Sequence, residues 1–81
     1  MLKKKPTFPE LSALKGRIRE KKSSYRLLSV QIGCSPDTLY RMLNGYAAPG
    51  TDDVEKIATE LDIDPAEIVK YFFPRMLRNA I

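Results

Sequence analysis

The residues of this 81-residue chain with the most to offer a partner lie close together, between positions 35 and 44. Arg41 can donate two parallel hydrogen bonds to a flat pair of acceptors, the pattern at the major-groove edge of guanine. Asp37, one helical turn earlier, only accepts; it suits the amino group of cytosine or, alternatively, the positive start of a helix. Tyr40 carries a ring for a thymine methyl and a hydroxyl for a phosphate or a base edge. Pro36 and Thr38 offer small apolar contacts, and Asn44 either meets a phosphate or caps its own backbone. Upstream, Arg26 would add a full charge to the free N–H groups at a helix start, a natural phosphate site. Tyr25 either gives its hydroxyl to a phosphate or packs over the preceding helix. With Ser35, these nine residues form the candidate contact set.

Catalysis has no such foothold. The chain has no histidine and a single cysteine. It also lacks a glycine loop to cradle phosphate and paired carboxylates set in an apolar pattern, and its length leaves little room for a cleft. The expectation is a non-enzymatic protein with no metal, no cofactor and no small-molecule substrate. Cys34, with no partner for a disulfide or a metal site, is expected to pack as a small apolar side chain, and the cysteine count agrees with a reducing compartment.

Two short helices must position this set. Ser24 is an N-cap for the first, which carries Leu28 and Ile32 on its buried face, Leu27 and Val30 on its flanks, and Arg26 outward. Gly33 suits a left-handed end. Ser35 then caps a second helix with Pro36 at its first position, where a missing N–H costs nothing, and Leu39, Met42 and Leu43 face inward until Asn44-Gly45.

This segment resembles the helix-turn-helix of the phage repressor and Cro family, in which a glycine stands ninth in a twenty-residue motif and an Asn-Gly pair often closes the second helix. With Tyr25 first, Gly33 is ninth, Cys34 is the small tenth residue, Leu39 the fifteenth, Met42 the eighteenth and Asn44 the twentieth. Tyr25 stands where many relatives have a phosphate-binding glutamine, and Ser29 where they have alanine. Ile18 and Leu43 replace an Arg–Glu pair common in the family; an apolar pair of similar reach can do so without loss of stability. The resemblance covers roughly residues 11 to 73 and implies an all-α, five-helix phage-repressor-like DNA-binding domain with a central helix-turn-helix.

The charge distribution points to the same partner. Residues 1–50 hold ten Lys or Arg against three acids, and residues 51–81 hold four against seven, so a basic half and an acidic half make up the net +4. A basic surface attracts nucleic acid through counterion release, although charge alone fits an ordinary solvated face equally well.

Residues 1–9 read as a basic arm, with Lys3, Lys4 and Lys5 repelling one another. Residues 10–73 read as the domain. Its first helix is expected from Glu10 to Lys21, burying Leu11, Leu14 and Ile18; Gly16 inside it suggests close approach of another helix. A loop from Tyr46 leads to a helix from about Asp52 to Leu61 with Val54, Ile57, Ala58 and Leu61 inward. Asp64-Pro65-Ala66-Glu67 opens a last helix, with Ile68, Val69 and Phe72 completing the core before Pro74. Residues 74–81 are an apolar tail, and Phe73, Met76, Leu77 and Ile81 are candidates for dimerisation; the other reading is a tail folded on its own domain.

No run approaches the roughly 20 apolar residues of a membrane span, and MLKKKP is not followed by a signal-peptide core, so a soluble cytoplasmic protein is expected. The resemblance implies a sequence-specific transcriptional regulator, a repressor of phage or mobile-element type. It would bind a palindromic double-stranded DNA operator as a homodimer through the helix at 36–44. The alternative is a protein-interaction module such as an antitoxin or a polymerase-contacting adaptor.

Overall fold

The computed structural model describes residues 5–79, and their regular structure is entirely helical. In chain order come α1 (Ser12–Glu20), α2 (Tyr25–Ile32), α3 (Pro36–Leu43) and α4 (Thr51–Glu60), then a 3-10 turn (Pro65–Glu67), α5 (Ile68–Phe72) and α6 (Pro74–Asn79). Helix α2 packs on α3 and α4, while α1 lies against α5 and α3. The elements converge on one apolar centre, in which Leu14, Leu28, Leu39 and Ile57 are fully sealed from solvent and Phe72 nearly so. Each contributes roughly 1.5–3 kcal/mol of burial free energy. Ile18 and Leu43, the apolar pair in place of an ion pair, are both buried.

The α2–α3 junction follows local rules. The Ser24 hydroxyl accepts from the Leu27 N–H at 3.2 Å, and the Ser35 hydroxyl accepts from the Thr38 N–H at 3.2 Å. Between them Gly33 adopts φ +78°, and the Cys34 N–H reaches back to the Ser29 carbonyl at 2.9 Å, closing α2 in a Schellman arrangement. Ser29 is completely buried, with its hydroxyl donated to the Arg26 carbonyl at 2.7 Å, so its polar group is satisfied within its own helix. Leu27 and Val30 stay on the outer flank of α2, both exposed.

Several boundaries depart from expectation. Helix α1 begins at Ser12, not Glu10, because Leu11 is non-helical and its N–H is donated across the molecule to the Leu43 carbonyl at 2.9 Å. No atom lies within 4 Å of where a Cβ on Gly16 would stand, so close helix approach is not the reason for this glycine. The packing of α1 is made instead by Leu14 and Ile18, off whose stripe Gly16 falls. The expected last helix is divided: Asp64 caps the Ala66 N–H at 2.9 Å and starts the 3-10 turn, and α5 proper begins at Ile68. Val69 is half-buried where a core position was expected.

The tail after Pro74 is a sixth helix resting on α5. Proline at a first helical position is compatible with the missing N–H, so the residue read as a stop is also a start. At the other end of the chain, the Thr7 and Phe8 N–H groups both donate to the Gly45 carbonyl at 3.0 Å, which fastens the inner part of the arm to the end of α3. Gly45 has φ +86°, and a Cβ there would run into the Phe8 carbonyl. Met1 to Lys4, with Lys3 and Lys4 of the basic run, lie outside the described residues, as do Ile81 and the side chain of Leu77.

Candidate nucleic-acid interface

Helix α3 is strongly two-sided. Leu39, Met42 and Leu43 are buried, while Ser35, Pro36, Asp37, Thr38, Tyr40 and Arg41 are all exposed along the opposite face. The N-terminus of α2 stands beside it and presents Arg26, also exposed. All nine candidate contact residues are therefore open or half-open side chains, Tyr25 and Asn44 being the half-buried ones.

Aromatic contacts join the two helices on this side. The Tyr25 and Tyr40 rings lie 5.7 Å apart, tilted by 55°, and the Arg26 guanidinium sits 5.6 Å from the Tyr25 ring centre. Tilted ring pairs and cation–π contacts each add a modest attraction, about 0.5–1.5 kcal/mol. Tyr25, half-buried, thus packs against the core as well as against Tyr40 of α3. Together with Tyr40 it walls a shallow depression whose other side is Lys15 and Arg19 of α1.

The ninth candidate, Asn44, is occupied within the domain. Its amide nitrogen donates to the Tyr40 carbonyl at 2.9 Å, and its amide oxygen accepts from the Lys15 ammonium at 2.7 Å. That is the capping alternative, with α1 tied to the end of α3 in addition. Ser35 and Thr38 are also engaged with each other, their hydroxyls 2.8 Å apart. Asp37 pairs with the Nε of Arg41 at 3.1 Å, one turn along the same helix.

The sequence matches the Cro/C1-type helix-turn-helix DNA-binding domain family over residues 13–74. The chain belongs to that family. Its fold is similar to the solution structure of the modulator of repression of the temperate bacteriophage TP901-1 from Lactococcus lactis. The TM-score is 0.68 and the identity 30%, over 83% of this chain and 90% of that one. No curated protein sequence matches the chain. Among the described residues, no helix is long and apolar enough to cross a membrane. This Cro/C1-type domain is therefore a DNA-binding regulator, and α3 is the second helix of its helix-turn-helix.

Two features of the domain escape a sequence-based reading. Tyr46 is 43% exposed and shares a depression with Asp37, Tyr40 and Arg41, just past the end of α3. It follows the Asn-Gly turn, where helical periodicity carries no information about direction. Arg17 looks like one more surface charge, yet its Nε and Nη2 donate to the Leu61 and Asp62 carbonyls at 3.1 and 3.0 Å. Those are the free carbonyls at the end of α4, where a cation is favoured. Cys34 is partly buried against the core; burial pushes its thiol up from the usual range, and the Asp53 carboxylate pushes it further. A neutral, weakly nucleophilic thiol suits a packing role.

Proposed function

We propose that the domain is a sequence-specific transcriptional regulator that represses by occupying a promoter. It reads DNA with Tyr40 and Arg41 of α3, aided by Pro36, Asp37 and Thr38. Tyr25, Arg26 and Ser35 take the phosphate side of the same surface, and Asn44 braces the end of α3 behind it. The observation that carries this reading is the exposure of the Tyr40–Arg41 face beside the basic N-terminus of α2, in a chain whose family is defined by DNA binding. Binding is as a homodimer on a palindromic operator with half-sites about one helical turn, roughly 34 Å, apart. Phe73 and Met76 support self-association: Met76 is 56% exposed, and with Phe8, Pro9 and Pro49 the two border an apolar depression.

Titration of the full chain against a library of DNA fragments from its own locus, at fixed salt, tests this. A small set of fragments is expected to bind far more tightly than the rest; equal affinity for all would defeat the reading. Arg41→Ala should relax base preference, whereas Arg26→Ala should weaken every sequence alike and lower the salt slope by about 1. The L. lactis phage neighbour is described as a modulator of repression, which favours a second reading in which this domain acts on repression through a protein partner. Retention of regulation in an Arg41→Ala, Arg26→Ala double variant that no longer binds DNA would select it.

A further inference from the structure

Asp37 is an odd residue for a surface that meets phosphates, and the geometry around it gives it a task. Its carboxylate lies 3.1 Å from the Arg41 Nε, with both side chains well exposed, 71% and 63%. The arginine shares a surface depression with Asp37, Tyr40 and Tyr46. The acid precedes the base by one turn, the favourable order on a helix.

We infer that Asp37 is a positioning residue for base readout: as an ion-pair partner on the Nε side of Arg41, it draws the guanidinium so that the Nη1/Nη2 edge is the one presented to a guanine. The inference rests on α3 being the reader. A guanidinium can present either of two hydrogen-bonding edges, and a carboxylate standing on the Nε side obstructs one of them and attracts the whole group toward it. An arginine already aimed also loses less side-chain freedom on binding. In water the exposed pair is weak, but once DNA excludes solvent the same contact strengthens several-fold. The contact set expected from sequence made Asp37 a cytosine reader or a helix-start charge; here it acts through its neighbour.

The two roles predict opposite signs. Removing a negative charge from a DNA-facing surface raises affinity for any duplex, because fewer phosphates are repelled. Removing a buttress lowers discrimination at the guanine that Arg41 reads. Full-length wild type, Asp37→Ala, Asp37→Ser and Arg41→Ala proteins are titrated by fluorescence anisotropy against the tightest fragment found above, random duplex, and single-base variants of that fragment. Thermal melting checks the fold; the serine variant keeps a good helix-start residue too short to reach Arg41.

Wild type is expected to prefer guanine at one position by roughly ten- to hundred-fold, and Arg41→Ala to erase that preference. Both Asp37 variants are expected to bind random duplex more tightly and to lose most of the same preference. Full guanine discrimination in the Asp37 variants overturns the inference, and so does a loss confined to a separate cytosine position. If wild type shows no preference, or Arg41→Ala leaves it intact, the reading of α3 itself fails and the inference with it. Those outcomes are scored on proteins in which Asp37 is unchanged, so the two failures are distinguishable.

Discussion

The α2–α3 junction and the α4–α5 connection both turn one helix into the next, but only the second also bonds a distant helix. At the first, every turn-making contact is local: Ser24, Gly33 and Ser35 each act within a few residues of their own position. At the second, a local closure of the same kind, with Asp62 at φ +55° and the Ile63 N–H donated to the Ala58 carbonyl at 2.8 Å, is joined by Arg17, which reaches across from α1, 45 positions away, to the Asp62 carbonyl. Phe72 then seals the centre from the far end of the chain. The contrast assigns tasks. A junction that shapes itself keeps its geometry whatever its outer face carries, so that face is free to specify a ligand. A junction that also bonds α1 ties the first helix and the last ones into one cooperative body.

Four substitutions break or sharpen this contrast. Phe72→Ala should cost the most, about 3–5 kcal/mol, through lost burial and the cavity left behind. Chemical denaturation should show the whole domain unfolding at lower denaturant, with α2 and α3 no more resistant than α4; independent survival of the α2–α3 pair would refute the single cooperative body. Arg17→Ala should cost about 1–2 kcal/mol, since it uncovers helix-end carbonyls beside a buried leucine, and hydrogen exchange should quicken first around Leu61 and Ile63. Ser35→Ala should cost about 1 kcal/mol, the usual worth of a cap, with faster exchange limited to the first turn of α3. If Ser35→Ala costs more than Arg17→Ala, the order of local and long-range dependence is reversed. Gly16→Ala should stabilise by about 0.5–1 kcal/mol, because the new methyl meets open space and the helix gains propensity; a lower melting temperature would contradict the open surroundings of Gly16.

Legibility in the sequence tracks the range of the interaction. Ser24, Gly33, Ser35 and Pro36 could be placed at helix ends because capping joins residues two to four apart, and the inward set Leu39, Met42 and Leu43 because helical spacing is periodic. Arg26, Tyr40 and Arg41 follow as the opposite face. Leu11 was legible as a core residue but not as a non-helical one, since its N–H partner is the Leu43 carbonyl. Tyr46 lies outside any periodic element, so its place beside Arg41 had no signal. Asn44 and Tyr25 each carried two readings: Asn44 caps the Tyr40 carbonyl and meets Lys15 as well, whereas Tyr25 lies against Tyr40 of α3, a neighbour that neither of its readings named. Helix α6 was missed because proline marks a helix start and a helix stop with the same chemistry.

The amino-acid sequence by itself determined the helix-turn-helix, its inward and outward faces and the uneven charge of the chain, all of which depend on neighbours along the backbone. Tertiary structure alone decided that Arg17 is a clamp and not a surface charge, that the arm's inner end is fastened to Gly45, and that Tyr46 stands beside Arg41. The physical reason is the same in each case. A hydrogen-bonding group chooses among the partners within about 3 Å, and for these groups folding sets which partners come into reach.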